Sequence, residues 1–75
     1  MQDLIEFIAK SLVTKPDDVK VTSEIEDDRM ILRLEVAEED KGRIIGREGR
    51  VAQAMRTLLR VAAIKDGTRV MLEII

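Results

Sequence analysis

Three of the chain's four glycines fall in one short stretch, Gly42-Arg43-Ile44-Ile45-Gly46-Arg47-Glu48-Gly49-Arg50. No other feature restricts the fold as much. Glycine is the worst ordinary residue for a helix interior, so glycines this dense mark a place where the backbone must turn or admit a close neighbour. The stretch sits where one helical pattern stops and a longer one starts. Gly46-Arg47-Glu48-Gly49 therefore reads as a tight turn leading into a helix. The first amides of that helix lack intrahelical partners and carry the positive end of its dipole. With Arg47 and Arg50 beside them, they suit an anion such as a phosphate. The plainer alternative is a helix–turn–helix corner that uses glycine only to turn.

The bulk properties bound the rest. At 75 residues the chain is expected to form one small domain, residues 1–75, with a thin core. It has no cysteine or histidine, and Phe7 is its one aromatic residue. That removes disulfides and thiolate metal sites, and no cofactor or metal site is expected. No apolar run approaches the ~20 residues of a membrane span. The N-terminus lacks the basic region and apolar core of a signal peptide. The expected location is the cytoplasm. The formal charge of −2 hides an asymmetry. Residues 1–40 carry five basic and twelve acidic side chains, and residues 41–75 carry eight basic and three acidic ones. A local basic face of this kind is what a phosphate backbone feels within a Debye length.

Periodicity supplies the elements. Leu4, Ile5, Ile8 and Leu12 predict a helix from Gln2 to Val13, stopped by Thr14-Lys15-Pro16-Asp17. Val19, Val21 and Ile25 alternate with polar residues, which predicts a strand with one buried face. Asp27-Asp28 reads as a hairpin turn. Met30, Leu32, Leu34 and Val36 form a second strand, antiparallel to the first because the link is short. A short helix is expected from Glu38 to Ile45, with acids crowding its start. A long helix follows from Gly49 to Lys65. Its core stripe is Val51, Met55, Leu58 and Ala62, joined by Ala52, Leu59 and Ala63. Gly67 is the expected left-handed cap, and Val70, Leu72 and Ile74 mark a last strand. The order helix, strand, strand, helix, helix, strand predicts an α+β domain, a three-stranded sheet covered on one face by three helices.

This order, and the string from Ala37 to Arg50 with its Gly46-Arg47-Glu48-Gly49 loop, resembles a KH domain of type II. More narrowly it resembles the KhpA family of small bacterial RNA-binding proteins, each a single KH domain of about this length. A lone Gly-x-x-Gly is weak, but one set between two helical patterns, after a hairpin and before a final strand, is specific. The resemblance implies a type II KH fold and a single-stranded RNA partner. It also implies self-association or pairing with a second KH protein of the KhpB type. An RNA-chaperone role in post-transcriptional regulation that affects cell-envelope growth, hence cell shape and peptidoglycan homeostasis, is implied as well. The sequence departs from the usual loop at Glu48, since KH loops carry a basic residue and no acid at their two middle positions.

On this reading Gly46 and Gly49 permit close approach, Arg47 and Arg50 hold phosphates, and Lys41 and Arg43 widen a basic rim beside Gly42. Glu48 is expected to point away and support the first turn of the long helix. Ile45, with an outward residue such as Ile31, would floor a groove for bases, and the second strand would discriminate among them. Arg56 and Arg60 read as solvated helix residues. Ala54, Thr57, Val61 and Ile64 lie off the core stripe and form a candidate dimer face. Two rivals stand beside RNA binding. Catalysis has no histidine, cysteine or partnered serine to work with, and no small-molecule substrate is expected. A pure interaction module keeps the fold and loses the RNA contact. Single-stranded DNA is a narrower alternative, because nothing in the sequence marks a reader of the 2′-hydroxyl.

Overall fold

The alternating and helical apolar patterns resolve, in a computed structural model describing residues 2–75, into three helices and three strands. Helix α1 spans Gln2–Leu12 and buries Ile5 and Ala9. A 3-10 turn at Pro16–Asp18 leads to β1, Lys20–Glu26, and then β2, Arg29–Glu35. Asp27 and Asp28 both take positive φ (49° and 65°), the backbone of a tight hairpin. A second 3-10 turn, Glu38–Asp40, precedes α2, Lys41–Ile45, so the expected Glu38–Ile45 helix is in fact two pieces. Helix α3 is Arg50–Asp66 and β3 is Arg69–Ile74. The α3 end is as expected: Gly67 is left-handed, its N–H reaches Ile64 C=O (3.1 Å), and Thr68 N–H reaches Ala63 C=O (2.8 Å). That pair of bonds satisfies carbonyls the helix leaves unpaired.

The strand order is β1-β2-β3, with β1–β2 antiparallel and β2–β3 parallel. All three helices lie on one face, as the element order predicts. There Leu32, Leu34 and Leu72 meet Ile5, Ala9, Ile44, Met55 and Leu59. The other face carries a charge network in which Arg33 pairs with Glu24 and Glu73.

Three expectations about burial need correction. Leu58, placed in the α3 core stripe, is 49% exposed, because the stripe runs through Ala52, Met55, Leu59 and Ala63 and Leu58 falls to its side. Ile25 shares its face of β1 with Val21 yet is 77% exposed, since it sits at the hairpin end, beyond the part of the sheet where the core cluster gathers. Ile31 is 5% exposed although it lies on the helix-free face. It occupies the middle strand between Glu24 and Met71.

Asp40 ties the two halves of the chain together. Its side chain is 1% exposed. Oδ1 accepts bonds from Thr14 N–H (3.1 Å) and Thr14 Oγ1 (2.9 Å), and Oδ2 accepts one from Lys15 N–H (3.1 Å). Burial by itself would raise the Asp40 pKa. The bonds from Thr14 and Lys15, with Arg43 nearby, outweigh it and hold the carboxyl below its ordinary 3.8. This one acid of the Glu38-Glu39-Asp40 run therefore anchors the segment after α1 to the start of α2. A second bridge, Lys15 to Glu39, reinforces the join at the surface.

Candidate nucleic-acid interface

Gly46, Glu48 and Gly49 all adopt positive φ (75°, 56° and 75°), which turns the chain between α2 and α3 within four residues. The two glycines serve different ends. A Cβ on Gly46 would stand 2.8 Å from Val51 Cβ and 2.9 Å from Val51 N. The missing side chain at Gly46 therefore lets the loop press on the first turn of α3. At Gly49 a Cβ would meet nothing within 4 Å, so that glycine serves the left-handed backbone and leaves its outer side open. Gly42 is an ordinary helical residue with open space beside it.

The loop's basic side chains differ in freedom. Arg47 is exposed and has no acidic partner among the described residues. Arg50 lies 3.5 Å from Glu48, with both side chains in solvent. Arg43 is exposed, with a long 3.8 Å approach to Asp40. Lys41 is paired to Glu38 at 2.9 Å, which leaves it at the rim. Ile45 is exposed beside the loop. No side chain caps the first amides of α3. The Glu48 carboxylate stands 3.5 Å from Arg50, the first residue of that helix.

Beyond the loop lies a cavity of about 210 Å³ between α3 and β3, lined by Arg56, Leu59, Arg60, Val70, Met71 and Leu72. Arg56 and Arg60, one turn apart and exposed as solvated helix residues, stand on its wall. One sequence reading is corrected. The groove is closed by β3 and not by the second strand. β2 is the central strand, and its backbone groups are spent on neighbours at both sides. β3 is an edge. Ile75 N–H donates to Leu34 C=O (2.9 Å), so in this parallel pair residues 71, 73 and 75 turn their polar groups toward β2. Val70, Leu72 and Ile74 turn theirs outward, into the groove. Ile31, buried on the far face, cannot floor it. The edge assignment needs knowledge of strand order, which local periodicity does not carry. The i, i+4 spacing of Arg56 and Arg60 was the available signal for the helical wall.

The expected dimer residues Ala54, Thr57, Val61 and Ile64 all emerge on the solvent side of α3. Leu58 joins them, and Thr57 turns its hydroxyl inward to Gln53 C=O (3.0 Å). Among the described residues no acidic cluster is placed to hold a metal ion, and no helix is long and apolar enough to cross a membrane.

A mixed three-stranded sheet, this order of elements and a Gly-x-x-Gly turn between two helices define a KH domain of type II. A family model described as "KhpA/KhpB, KH domain" matches residues 2–74. The chain belongs to that family, which is not a family of enzymes. It is 49% identical over 75 residues to "RNA-binding protein KhpA" of Clostridium perfringens, covering all of both chains. It is 48% identical over 75 residues to the protein of that name in Caldanaerobacter subterraneus, again over all of both. The KhpA of Borreliella burgdorferi is 52% identical over 73 residues, 97% of this chain and 89% of that one. No solved structure gives a match.

Proposed function

We propose that this chain is a single KH domain that binds single-stranded RNA in the cytoplasm, as an RNA chaperone or post-transcriptional regulator. Its relatives carry the name RNA-binding protein. The observation that carries the reading is the continuity between the loop and the groove. Arg47 and Arg50 flank an uncapped helix start, and the same helix leads past Arg56 and Arg60 along the unpaired edge of β3. Phosphates would sit against the loop, at the positive end of α3. Bases would turn toward Val70 and Leu72, whose free backbone groups can read their edges. No aromatic residue lines the groove, so stacking contributes little and the interaction leans on charge. Binding is then salt-sensitive, with modest base preference.

Fluorescence anisotropy of a labelled single-stranded RNA tests this, with circular dichroism as the check on folding. The Arg47→Asp/Glu48→Asp variant stays folded and binds at least about tenfold more weakly. Removing one phosphate contact also lowers the salt slope by roughly 0.7. Equal binding by both proteins would move the site elsewhere. A matched DNA strand in the same titration separates RNA from DNA.

The second reading is an interaction module, favoured by the apolar row Ala54, Thr57, Leu58, Val61 and Ile64 on the outside of α3. Here the partner is a second copy or a KhpB-type KH protein. The two readings are compatible, because this row and the groove arginines Arg56 and Arg60 occupy different faces of α3.

A further inference from the structure

We infer that the outer edge of β1 is a docking strand for the same strand of a second copy of this chain, paired antiparallel about Ser23.

The backbone geometry sets which groups are free. Leu34 turns its polar groups toward β3, as its bond from Ile75 shows. Its partner Val21 therefore lies in a non-hydrogen-bonded pair and turns its own N–H and C=O away from the sheet. By alternation Ser23 and Ile25 do the same. Gln2 provides an independent check, since its Nε2 reaches Val21 C=O (2.7 Å) from outside the sheet.

The sequence of this edge is self-complementary. With Ser23 opposite Ser23 of the partner, Val21 falls opposite the partner's Ile25, and these are two of the outward-facing residues that exchange backbone bonds. Lys20 falls opposite the partner's Glu26, and Thr22 opposite the partner's Glu24. The charges then alternate across both sheets, from Glu35 to Lys20, to the partner's Glu26, to the partner's Arg29. Ile25, left 77% exposed by its own chain, gains Val21 of the partner as an apolar neighbour on the helix-bearing face. Edge strands are ordinarily guarded by charged side chains, a proline, a bulge or an inward charge. β1 has no proline, bulge or inward charge, its pairing with β2 running unbroken from Lys20 to Glu26, and its own charges at Lys20 and Glu26 meet opposite charges in this register. Among the described residues Gln2 bonds to it, at one end, and the partner's Ile25 N–H would replace that bond with an equivalent one. The two grooves would lie at opposite outer edges of the joined sheet, both open.

The chain lacks cysteine, so a single substitution reports the pairing. Ser23→Cys, placed on the two-fold axis, is oxidised under mild conditions in a Val61→Asp background that silences the α3 face. The expected result is a disulfide-linked dimer forming faster than for Thr57→Cys in the same background. Adding Lys20→Glu slows it about tenfold, and adding Glu26→Lys to that restores the rate, because the opposite charges again face each other. Circular dichroism verifies that each variant is folded. A Ser23→Cys protein that cross-links no faster than the Thr57→Cys control overturns the proposal. So does a rate indifferent to Lys20→Glu, or one that the charge swap fails to restore.

Discussion

Gly46 and Gly49 look alike in the sequence and differ in what replaces their hydrogen. At Gly46 a methyl group meets Val51 and an unfavourable φ together, so Gly46→Ala should cost at least about 2 kcal/mol. Gly49→Ala meets only the backbone penalty, about 1 kcal/mol. Chemical denaturation of the two variants checks the order, and adding Val51→Ala should recover part of the Gly46→Ala loss and none of the Gly49→Ala loss. Asp40 is the other residue whose chemistry is set by its surroundings. Asp40→Asn keeps the shape but turns two acceptors of backbone and hydroxyl bonds into an amide, and should lower Tm by more than about 5 °C. The wild type carries a matching pH signature. Because the folded carboxyl sits below its ordinary 3.8, its contribution is complete at neutral pH and starts to fade near pH 4. It disappears once the pH falls through the lower folded value. Thermal melts between pH 7 and pH 2.5 should show this loss in the wild type and a smaller one in Asp40→Asn. None of this was visible locally: the carboxylate's partners lie 25 and 26 residues away.

Helix α3 is the element on which the readings converge, and its faces do separate work. One packs on the sheet through Met55 and Leu59, one presents Arg56 and Arg60 to the groove, and one exposes Val61 and Ile64. Arg56→Glu should therefore weaken RNA binding several-fold at low salt while leaving the melting curve nearly unchanged, since an exposed helix charge contributes little to stability. Anisotropy and circular dichroism on one sample check both halves. The existence and order of all six elements were legible because apolar spacing is a local property. The stripe of α3 was read about one position too wide at Leu58, since the boundary of a buried face depends on which neighbours reach it. The loop arginines were legible from the glycines that frame them. The strand that closes the groove was not, because both β2 and β3 alternate and only their order in the sheet tells centre from edge.

At the scale of the whole molecule, the groove and the exposed apolar row are kept apart. Arg56 and Arg60 face the cleft beside β3, and the row from Ala54 to Ile64 continues from Arg50 along another face of α3. If that row holds a partner, Val61→Asp should convert a dimer to a monomer without reducing RNA affinity per chain beyond about twofold. Light scattering and anisotropy on the same preparation check it, and a wild type that is already monomeric would remove the premise. The parallel pairing of β2 with β3 has a different kind of consequence, one of timing. Leu34 meets Ile74 only after everything between them has been made. On the ribosome, the arginine-bearing loop and α3 emerge first, facing no opposite wall. The cleft beside them comes into existence when Arg69–Ile74 leave the exit tunnel and zip onto β2. The cleft between α3 and β3 is therefore a late product of folding, complete only when β3 has paired with β2.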